Sequence, residues 1–359
     1  MAKASVVIIG GGYVGAELAK GLEDSLDVTL VEPKEAFVHA PAMLRTLVEP
    51  ALLDEALIPY DRLLKKGRLV KDRATAVDGD GVTLASGDKI SADYIVVATG
   101  ASNGSAFKPL DGDLDGFRTA QANLAQKISD AKTIAIVGAG AVGTELAGEI
   151  AHARPEKSVT LISSEPTLFP TMPAKLGTGL AKKLRGMGVD IRCGVRADNL
   201  ESLSEPYAGT LTLSNGDTVA ADLIVPAIGS KPQTALLADL PGAKVVKGGR
   251  VAVDDYLRPS TLENVFAAGD AVDPGDAMTI VAISRQQPWL AKTLKALAEG
   301  KSLSSQKAYT PWGKAPILIP LGPNQGNSFL MIATFGNWVT KMMKGRDLFI
   351  PKYKKIFGR

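Results

Sequence analysis

The fold of this 359-residue chain is decided near its start by the stretch Ser5-Val6-Val7-Ile8-Ile9-Gly10-Gly11-Gly12-Tyr13-Val14-Gly15. An apolar, β-branched run of this kind is typical of a strand buried on both faces of a parallel sheet. In the GxGxxG spacing that follows, Gly10 permits a tight turn, Gly12 lets the backbone approach a pyrophosphate, and Gly15 allows a helix to pack closely on the strand. The stretch therefore predicts a strand, a phosphate-binding turn and a helix whose N-terminus faces a dinucleotide.

The same unit recurs 128 residues later, where Thr133–Val137 leads into Gly138-Ala139-Gly140-Ala141-Val142-Gly143. A further repeat, at an offset of 129, aligns Val82–Gly100 with Leu211–Gly229. A single GxGxxG is weak evidence because glycine-rich turns are common, but two such turns, each closed by the same hairpin and strand, predict two nucleotide sites. We expect an α/β fold with two Rossmann-like dinucleotide-binding domains, between whose ligands electrons move.

The strand that follows each glycine turn ends in a different kind of residue. Val28–Val31 ends at Glu32, where a carboxylate accepts hydrogen bonds from ribose hydroxyls and repels a 2′-phosphate. Val159–Ile162 ends at Ser163, and no arginine directly follows to bind a 2′-phosphate. The second half should bind the nicotinamide nucleotide, and its sequence excludes neither NADH nor NADPH.

Composition limits the class of protein. The length suits two or three domains, and 45% apolar with 5% aromatic residues fits a soluble α/β protein. No apolar stretch reaches the ~18–20 residues of a membrane span. The first strand starts too early for a signal peptide, and Met1-Ala2 lacks the glycine that N-myristoylation requires.

Cys193 is the only cysteine, so no intramolecular disulfide can form and a reducing cytoplasm is the expected compartment. Enzymes that pass electrons from a flavin to a cysteine pair are thereby excluded. We predict no metal site.

The net charge of +3 is distributed unevenly. Residues 341–359 hold seven Lys or Arg and one Asp, which makes this tail +6 and the remainder −3. By charge the body is not a nucleic-acid binder. From Trp338 onward basic and apolar residues are interleaved, and two interpretations of 338–359 stay open. One is peripheral contact with a membrane, in which each cation on anionic lipid contributes about 1 kcal/mol. The other is a helix packed on the body with a solvated basic face. Pro351 interrupts any single helix here.

The segment Thr261–Asp270 resembles the second flavin-binding fingerprint of the flavoproteins with two dinucleotide domains. This resemblance implies that FAD occupies the first site, with its ribityl chain near Gly269 and Asp270. Ala98-Thr99-Gly100 and Ala227-Ile228-Gly229 match the crossover strands of those proteins, where the chain passes between domains.

The resemblance also implies an inserted domain: FAD domain 1–104 and 230–300, NAD(P)H domain 105–229, and a small α+β segment 301–359. Ser102–Gly116 and Ser230–Gly249 would be the linkers. Arg285–Leu297 reads as a helix starting near Pro288. Gln286 and Gln287 lie where such enzymes direct a helix N-terminus at the flavin ring; the alternative is the start of a surface helix. In the C-terminal segment we expect strands at Ile317–Leu321 and Phe329–Thr334, joined by a turn over Gly322–Asn327.

Several strings resemble the apoptosis-inducing-factor-like ferroptosis suppressor proteins, over nearly the whole chain. These strings are Phe37–Ala40, Leu44-Arg45, Val48-Glu49, Thr144–Ile150, Pro155–Ile162 and Gly345–Phe349. The resemblance implies an FAD enzyme that oxidises NADH or NADPH and reduces lipid-soluble quinones of the ubiquinone or menaquinone type at a membrane surface. It places Glu145 and Lys344 at positions important for catalysis, and Arg45 in a segment that approaches the FAD.

Glu145 and Lys344 each have an alternative, non-catalytic interpretation. Glu145 could instead be an acid stabilised by the helix dipole by roughly 0.3–1 kcal/mol, and Lys344 one more surface cation. The chain departs from the family in lacking an N-terminal acylation signal and in carrying Arg285 where the animal proteins tend to have a histidine.

Two other functions remain open: reduction of a small iron–sulfur carrier protein, and a non-enzymatic, NAD(P)H-sensing interaction protein. We expect a cytoplasmic location, with contact at the inner face of a membrane left open, as is a homodimer.

Overall fold

Two five-stranded sheets, each flanked by helices, dominate the computed structural model, which describes residues 3–102, 107–109 and 112–359. The strands are β1 (Ser5–Ile9), β2 (Asp27–Val31), β3 (Ala36–Val38), β4 (Leu57–Pro59), β5 (Arg68–Val70), β6 (Ala74–Val77), β7 (Gly81–Leu84), β8 (Lys89–Ser91), β9 (Tyr94–Val97), β10 (Ala101–Ser102), β11 (Thr133–Val137), β12 (Ser158–Ser163), β13 (Asp190–Cys193), β14 (Tyr207–Thr212), β15 (Thr218–Pro226), β16 (Lys231–Pro232), β17 (Val251–Ala252), β18 (Val265–Ala267), β19 (Val272–Asp273), β20 (Ile317–Leu321), β21 (Gln325–Phe329) and β22 (Thr334–Phe335). The α-helices are α1 (Tyr13–Leu22), α2 (Leu53–Ala56), α3 (Leu114–Asp130), α4 (Ala141–Ala153), α5 (Ala174–Gly186), α6 (Ala235–Ala238), α7 (Ile280–Ile283), α8 (Gln286–Ala298), α9 (Asn337–Thr340) and α10 (Ile350–Ile356). Single 3₁₀ turns span Ala40–Ala42, Arg45–Leu47, Pro50–Leu52, Tyr60–Arg62, Gly269–Ala271 and Leu303–Ser305, and a π-helical turn spans Lys341–Gly345.

The first sheet has the order β18-β9-β1-β2-β5, and all its strands run parallel. Its central strand is the apolar run that opens the sequence, of which Val6–Ile9 are buried. Strand β18 joins beside β9 although it follows the whole second sheet in the chain. We call this sheet with its helices the first unit.

The second sheet has the order β13-β12-β11-β15-β14 and forms the second unit. The duplication extends to single hydrogen bonds: Gly10 N donates to Val31 O at 2.9 Å, and Gly138 N donates to Ile162 O at the same distance. The copies also differ in how the hairpin strands join the sheet. In the first, β8 and β9 are separate strands in different sheets, whereas in the second the nine-residue strand β15 pairs with β14 and β11 together. The α/β prediction with two Rossmann-like sheets is confirmed.

The chain leaves and re-enters the first unit through two adjacent short strands. β10 and β16 pair antiparallel, with Ala101 opposite Pro232 and Ser102 opposite Lys231. The predicted boundary between residues 104 and 105, and part of the predicted linker, lie outside the described residues. The division into domains stays a prediction.

The C-terminal segment contacts both units. The β20–β21 hairpin packs on α4 so closely that a Cβ on Gly148 would lie 2.6 Å from the Cα of Leu321. At the other end of the segment, Tyr353 and Phe357 are buried among the aromatic rings of the first unit, with Phe357 4.9 Å from Phe37 between ring centroids. From Leu348 onward the tail is therefore largely packed on the body.

One predicted element is wrong. The strand expected at Phe329–Thr334 lies at Gln325–Phe329 and begins inside the expected turn. The turn is tighter than the Gly/Asn composition suggested: Gly322 takes a φ of +71°, so Leu321 already pairs with Gln325. The predicted strand Ile317–Leu321 is confirmed, and the predicted helix is α8, which starts at Gln286.

Candidate active site

The first glycine turn has the shape that a phosphate needs. Gly10 has a φ of +100°, and a Cβ there would lie 2.5 Å from the carbonyl oxygen of Ala98. A Cβ on Gly15 would lie 1.9 Å from the carbonyl oxygen of Gly10, so the helix touches the turn directly. A Cβ on Gly12 would meet no atom of the described residues within 4 Å. The backbone at Gly12 thus faces open space at the N-terminus of α1, where unpaired N–H groups attract an anion.

The second turn repeats this geometry. Gly138 has a φ of +110°, and a Cβ there would lie 2.6 Å from the carbonyl oxygen of Ala227. A Cβ on Gly143 would lie 1.9 Å from the carbonyl oxygen of Gly138. Gly140 faces open space, again with nothing described within 4 Å of its Cβ. Its φ and ψ of −70° and −167° match the −69° and −167° of Gly12. Two pyrophosphate cradles of the same construction are therefore present.

Glu32 lies at the end of β2 beside the first turn. Its Oε2 accepts from Gly11 N at 2.7 Å, and its Oε1 accepts from Lys34 N at 2.9 Å. The hydroxyl of Tyr60 donates to the carbonyl oxygen of Gly11 at 2.7 Å, a support that the sequence did not reveal. The carboxylate is thus fixed at the place where a ribose would follow the pyrophosphate.

Asp270 carries an unsatisfied buried atom. Its Oδ1 has no hydrogen-bond partner among the described residues. Burial raises the pKa of this carboxyl, against the opposing charges of Lys108 and Arg250. The preceding Gly269 N donates to the Oε1 of Gln286 at 2.7 Å, which fixes the turn. Since buried polar atoms are normally paired, this oxygen fits a ligand that brings a hydroxyl group, as the ribityl chain of FAD does.

Asp270 opens into a cavity of about 340 Å³ that extends from α1 to the C-terminal segment. It is lined by residues of both units and of the C-terminal segment, among them Tyr13, Pro41, Leu44, Phe107, Lys108, Gly140, Glu145, Ala227, Gly229, Asp270, Thr279, Ile283, Pro316, Ile317, Leu318, Ile319, Lys344 and Phe349. A second cavity of about 660 Å³ lies over the second turn and includes Ser163. Gly140 and Ala227 to Gly229 line both, so one extended ligand can reach from the second phosphate cradle to the first cavity.

Glu145 and Lys344 meet inside the first cavity. Lys344 Nζ donates to Glu145 Oε1 at 2.7 Å and Oε2 at 2.8 Å, and to the carbonyl oxygen of Leu318 at 3.2 Å. Burial raises the pKa of Glu145, and the charge of Lys344 opposes this. Helix α4 and the π-helical turn bring the two side chains together from 199 positions apart.

Other predicted site residues lie around this cavity without lining it. The guanidinium of Arg45 is paired with Glu149, although the adjacent Leu44 does line the cavity. Gln286 also donates from Nε2 to Asp276 at 3.1 Å, and Gln287 donates to Glu17 O at 3.4 Å. Their predicted contacts with the cofactor stay predictions.

Sequence reasoning missed Tyr13, His39, Lys108 and Glu149. Glu149 carried a signal, because it follows Glu145 by one helical turn on the same face. Lys108 carried none, since it lies in a linker segment.

The comparisons with known proteins agree with this geometry. Residues 4–300 match the family described as Pyridine nucleotide-disulphide oxidoreductase. Apoptosis-inducing factor homolog B of Dictyostelium discoideum is 31% identical over 381 residues, 98% of this chain and 96% of that protein. Ferroptosis suppressor protein 1 of Xenopus tropicalis is 27% identical over 364 residues, 99% of this chain and 96% of that protein.

Among solved structures, the sulfide:quinone oxidoreductase from the hyperthermophilic bacterium Aquifex aeolicus superposes with a TM-score of 0.76 at 18% identity, over 98% of this chain and 90% of that one. This likeness supports the fold. The glycine cradles and the unpaired Asp270 oxygen fit FAD and NAD(P)H. The chain therefore belongs to the pyridine nucleotide-disulphide oxidoreductases, with the apoptosis-inducing factor homologues and ferroptosis suppressor proteins as relatives, and is a flavin-dependent NAD(P)H oxidoreductase.

Proposed function

We propose that this enzyme passes two electrons from NADH or NADPH to a lipid-soluble quinone and releases the quinol. The observation that carries the proposal is the part of the cavity wall where apolar side chains of the C-terminal segment accompany the Glu145–Lys344 ion pair. Pro316, Ile317, Ile319 and Phe349 supply the apolar wall, and Lys344 supplies the cation. Such a site suits a flat, apolar ring with carbonyl oxygens.

FAD, when bound, supplies the redox chemistry by accepting hydride from NAD(P)H and passing the electrons on. The protein's part is alignment and charge. Gly10, Gly12 and Asp270 would hold the FAD, and Gly138 with Gly140 would hold the nicotinamide nucleotide. The fixed geometry of two bound ligands can lower a barrier by ~7–11 kcal/mol in favourable cases.

Lys344 would serve the acceptor. A quinone that takes up two electrons must also gain two protons, and Nζ of Lys344 is a buried donor in the cavity wall. Glu145 holds this Nζ in place through both carboxylate oxygens. In this arrangement Lys344 stabilises negative charge on the quinone oxygen or delivers a proton to it.

The single cysteine supports an acceptor other than a disulfide. Cys193 lies on β13 and is partly buried, and burial raises the pKa of its thiol. A thiol of raised pKa is a poor nucleophile. Electrons that reach the FAD would thus leave through the cavity and not through a cysteine pair.

We also propose peripheral contact with a membrane. No helix among the described residues is long and apolar enough to cross a bilayer. The C-terminal segment nevertheless exposes an apolar patch, made of Met331, Ile332, Trp338, Met342 and Met343, of which Ile332 is 89% and Trp338 73% exposed. Exposed cations of the same segment, such as Lys341, suit anionic headgroups. Lys344 of the same segment lines the cavity, so one segment would serve both the membrane and the acceptor.

Anaerobic stopped-flow tests the proposed reaction. The FAD-loaded protein is reduced with NADH or NADPH and then mixed with a short-chain ubiquinone, while flavin absorbance is followed. Rapid bleaching and rapid recovery are expected. Bleaching without recovery by quinone would overturn the proposal in favour of a protein acceptor or a sensor. Addition of an oxidised iron–sulfur carrier protein would separate these two, because only a reductase of such a carrier would then recover its flavin absorbance.

A further inference from the structure

Helix α4 carries two glutamates one turn apart, and each carboxylate meets a cation from a different part of the chain. Glu145 meets Lys344 of the C-terminal segment. Glu149 meets Arg45 of the first unit, whose Nη2 donates to Oε1 at 2.9 Å and whose Nε donates to Oε2 at 3.0 Å. Because residues four apart share one helix face, the two ion pairs lie side by side on α4.

All four side chains are buried: Glu145 is 5% exposed, Glu149 3%, Arg45 5% and Lys344 9%. Removal of one partner from a buried pair leaves an uncompensated charge in the interior, whereas replacement of both partners is often tolerated. A two-point arginine–carboxylate contact also fixes orientation, because the planar guanidinium matches the carboxylate geometry. The Arg45–Glu149 pair therefore fixes α4 to the 3₁₀ turn of Arg45, beside the apolar contacts that Leu44 and Leu47 make in the core cluster of the same helix.

This connection joins two parts of the cavity. Arg45 begins a 3₁₀ turn next to Leu44, which lines the cavity, and α4 begins at the phosphate cradle of Gly140. A small rotation of α4 would move both that cradle and Glu145 relative to the first unit.

The geometry points to Arg45 and Glu149 as positioning residues, whose ion pair holds the nicotinamide cradle and the Glu145–Lys344 pair in register with the first unit. This role rests on the proposed function, since it concerns the transfer from NAD(P)H to quinone. It places Arg45 outside contact with the reacting atoms, and it adds a charged contact with α4 to the apolar ones of Leu44 and Leu47.

The pair also sets the charge around Glu145. The charged groups that face Glu145 are Lys344 from the π-helical turn, Glu149 from its own helix and Arg45 from the first unit; Glu149 raises the pKa of Glu145, and Arg45 lowers it. The Leu318 carbonyl of β20 shares the Lys344 ammonium. His39 near Lys344 stays neutral, since burial and the charge of Lys344 both lower its pKa. Loss of Glu149 and loss of Arg45 should therefore act on Glu145 in opposite directions.

Three variants of the FAD-loaded full chain test this role: Glu149→Gln, Arg45→Met and the double variant R45M/E149Q. The readouts are the concentration of NAD(P)H that half-saturates the rate of flavin reduction, and the pH at which quinone reoxidation falls to half on the acid side. Arg192→Met is the matched control, because it breaks ion pairs with the exposed acids Asp190 and Asp217 of the same unit.

We expect Glu149→Gln to move the acid limb to lower pH and Arg45→Met to move it to higher pH, each by about one pH unit. The double variant should return the limb to the wild-type position. All three should raise the half-saturating NAD(P)H concentration by about tenfold, because α4 loses the charged contact that fixes its orientation. The control should change neither readout.

A shift of both single variants in one direction, or an unchanged half-saturating concentration, would overturn the positioning role. If a single variant does not fold, the double variant decides, since it leaves no buried charge unpaired: wild-type saturation by NAD(P)H would then refute the role. The saturation readout uses flavin reduction alone, so it remains decisive even if quinone proves not to be the acceptor.

Discussion

The ring of His39 donates from Nε2 to the carbonyl oxygen of Leu348 at 2.5 Å, across 309 positions of the sequence. Its Nδ1 accepts from the hydroxyl of Tyr13, the first residue of α1, at 3.2 Å. Leu348 and the next residue, Phe349, have φ angles of 53° and 65°, which non-glycine residues rarely adopt. A neutral imidazole thus connects α1, the helix at the first glycine turn, to the turn at Leu348 and Phe349. This strained turn places Phe349 in the cavity wall.

This imidazole predicts a loss of stability in mild acid. Burial lowers the pKa of His39 from 6.5 to about 4. The unfolded chain therefore binds this proton more tightly than the folded one, so the contribution of His39 is complete above pH 6.5 and is lost as pH falls towards 4. The shift corresponds to about 3 kcal/mol. We expect the Tm of His39→Gln to fall less steeply than that of the wild type between pH 6.5 and 4. The control is His152→Gln, which changes an exposed histidine. Parallel curves of Tm against pH for His39→Gln and the wild type would refute the assignment.

The glycine cradles predict two separable losses of binding. Gly12→Ala should fold but lose FAD, because a methyl group fills the open space beside α1. Gly140→Ala should keep its FAD and lose NAD(P)H affinity instead. Gly15→Ala should fail to fold, since its Cβ would lie 1.9 Å from a carbonyl oxygen. Flavin absorbance of the purified variants and titration with NAD(P)H measure these outcomes, and loss of FAD from Gly140→Ala would contradict the assignment of the two sites.

Replacement of Asp270 should stabilise the apoprotein and weaken its binding of FAD. Asp270→Asn removes a buried carboxylate with an unpaired oxygen, so the apoprotein should gain about 1 kcal/mol in free energy of unfolding. The same change weakens the acceptor offered to a ligand hydroxyl, and the Kd for FAD should rise about tenfold or more. Urea unfolding of the apoprotein and FAD titration are the measurements. A variant with unchanged FAD affinity would show that Asp270 does not touch the cofactor.

Lys344 predicts an effect on one half of the reaction. Lys344→Met should keep flavin reduction by NAD(P)H and slow reoxidation by quinone by about 100-fold, within the range for loss of a positioned acid. The exposed Lys341→Met, three residues earlier in the same turn, should behave like the wild type. Unchanged quinone turnover in Lys344→Met would remove this residue from the mechanism.

The apolar patch predicts binding to lipid. Replacing Ile332 and Trp338 together by serine should reduce co-sedimentation with vesicles that contain anionic lipid, and should leave turnover of a water-soluble quinone unchanged. Val245→Ser, an exposed apolar residue of the first unit, is the control. Equal sedimentation of all three proteins would exclude a role for the patch at the membrane.

The sequence predicted the phosphate turns because their requirements are local. A positive φ at Gly10 and a close approach at Gly15 can be met by few residue types, so the glycines appear at fixed spacing. Only the second strand of the C-terminal hairpin is predicted wrongly, since its register depends on one glycine in a left-handed conformation and on packing against α4, and composition shows neither.

Contacts between distant segments were beyond prediction from the residues alone. Nothing near Arg45 in the sequence indicates Glu149, 104 positions away, and nothing near His39 indicates the Leu348 carbonyl. Pairing of this kind is decided by how the two units and the C-terminal segment pack. The resemblance to known flavoproteins selected Glu145 and Lys344, but their direct contact comes from the structure.

The antiparallel pair β10 and β16 brings the two ends of the second unit together. Because the chain departs at Ser102 and returns at Lys231, directly opposite each other, an engineer could exchange the intervening segment for that of a relative with a different coenzyme preference and leave both joints unaltered. Arg45 and Lys344 would stay behind in the recipient. A graft would therefore have to bring its own glutamates at the positions of Glu145 and Glu149. Donor proteins could be chosen by that requirement before any graft is made.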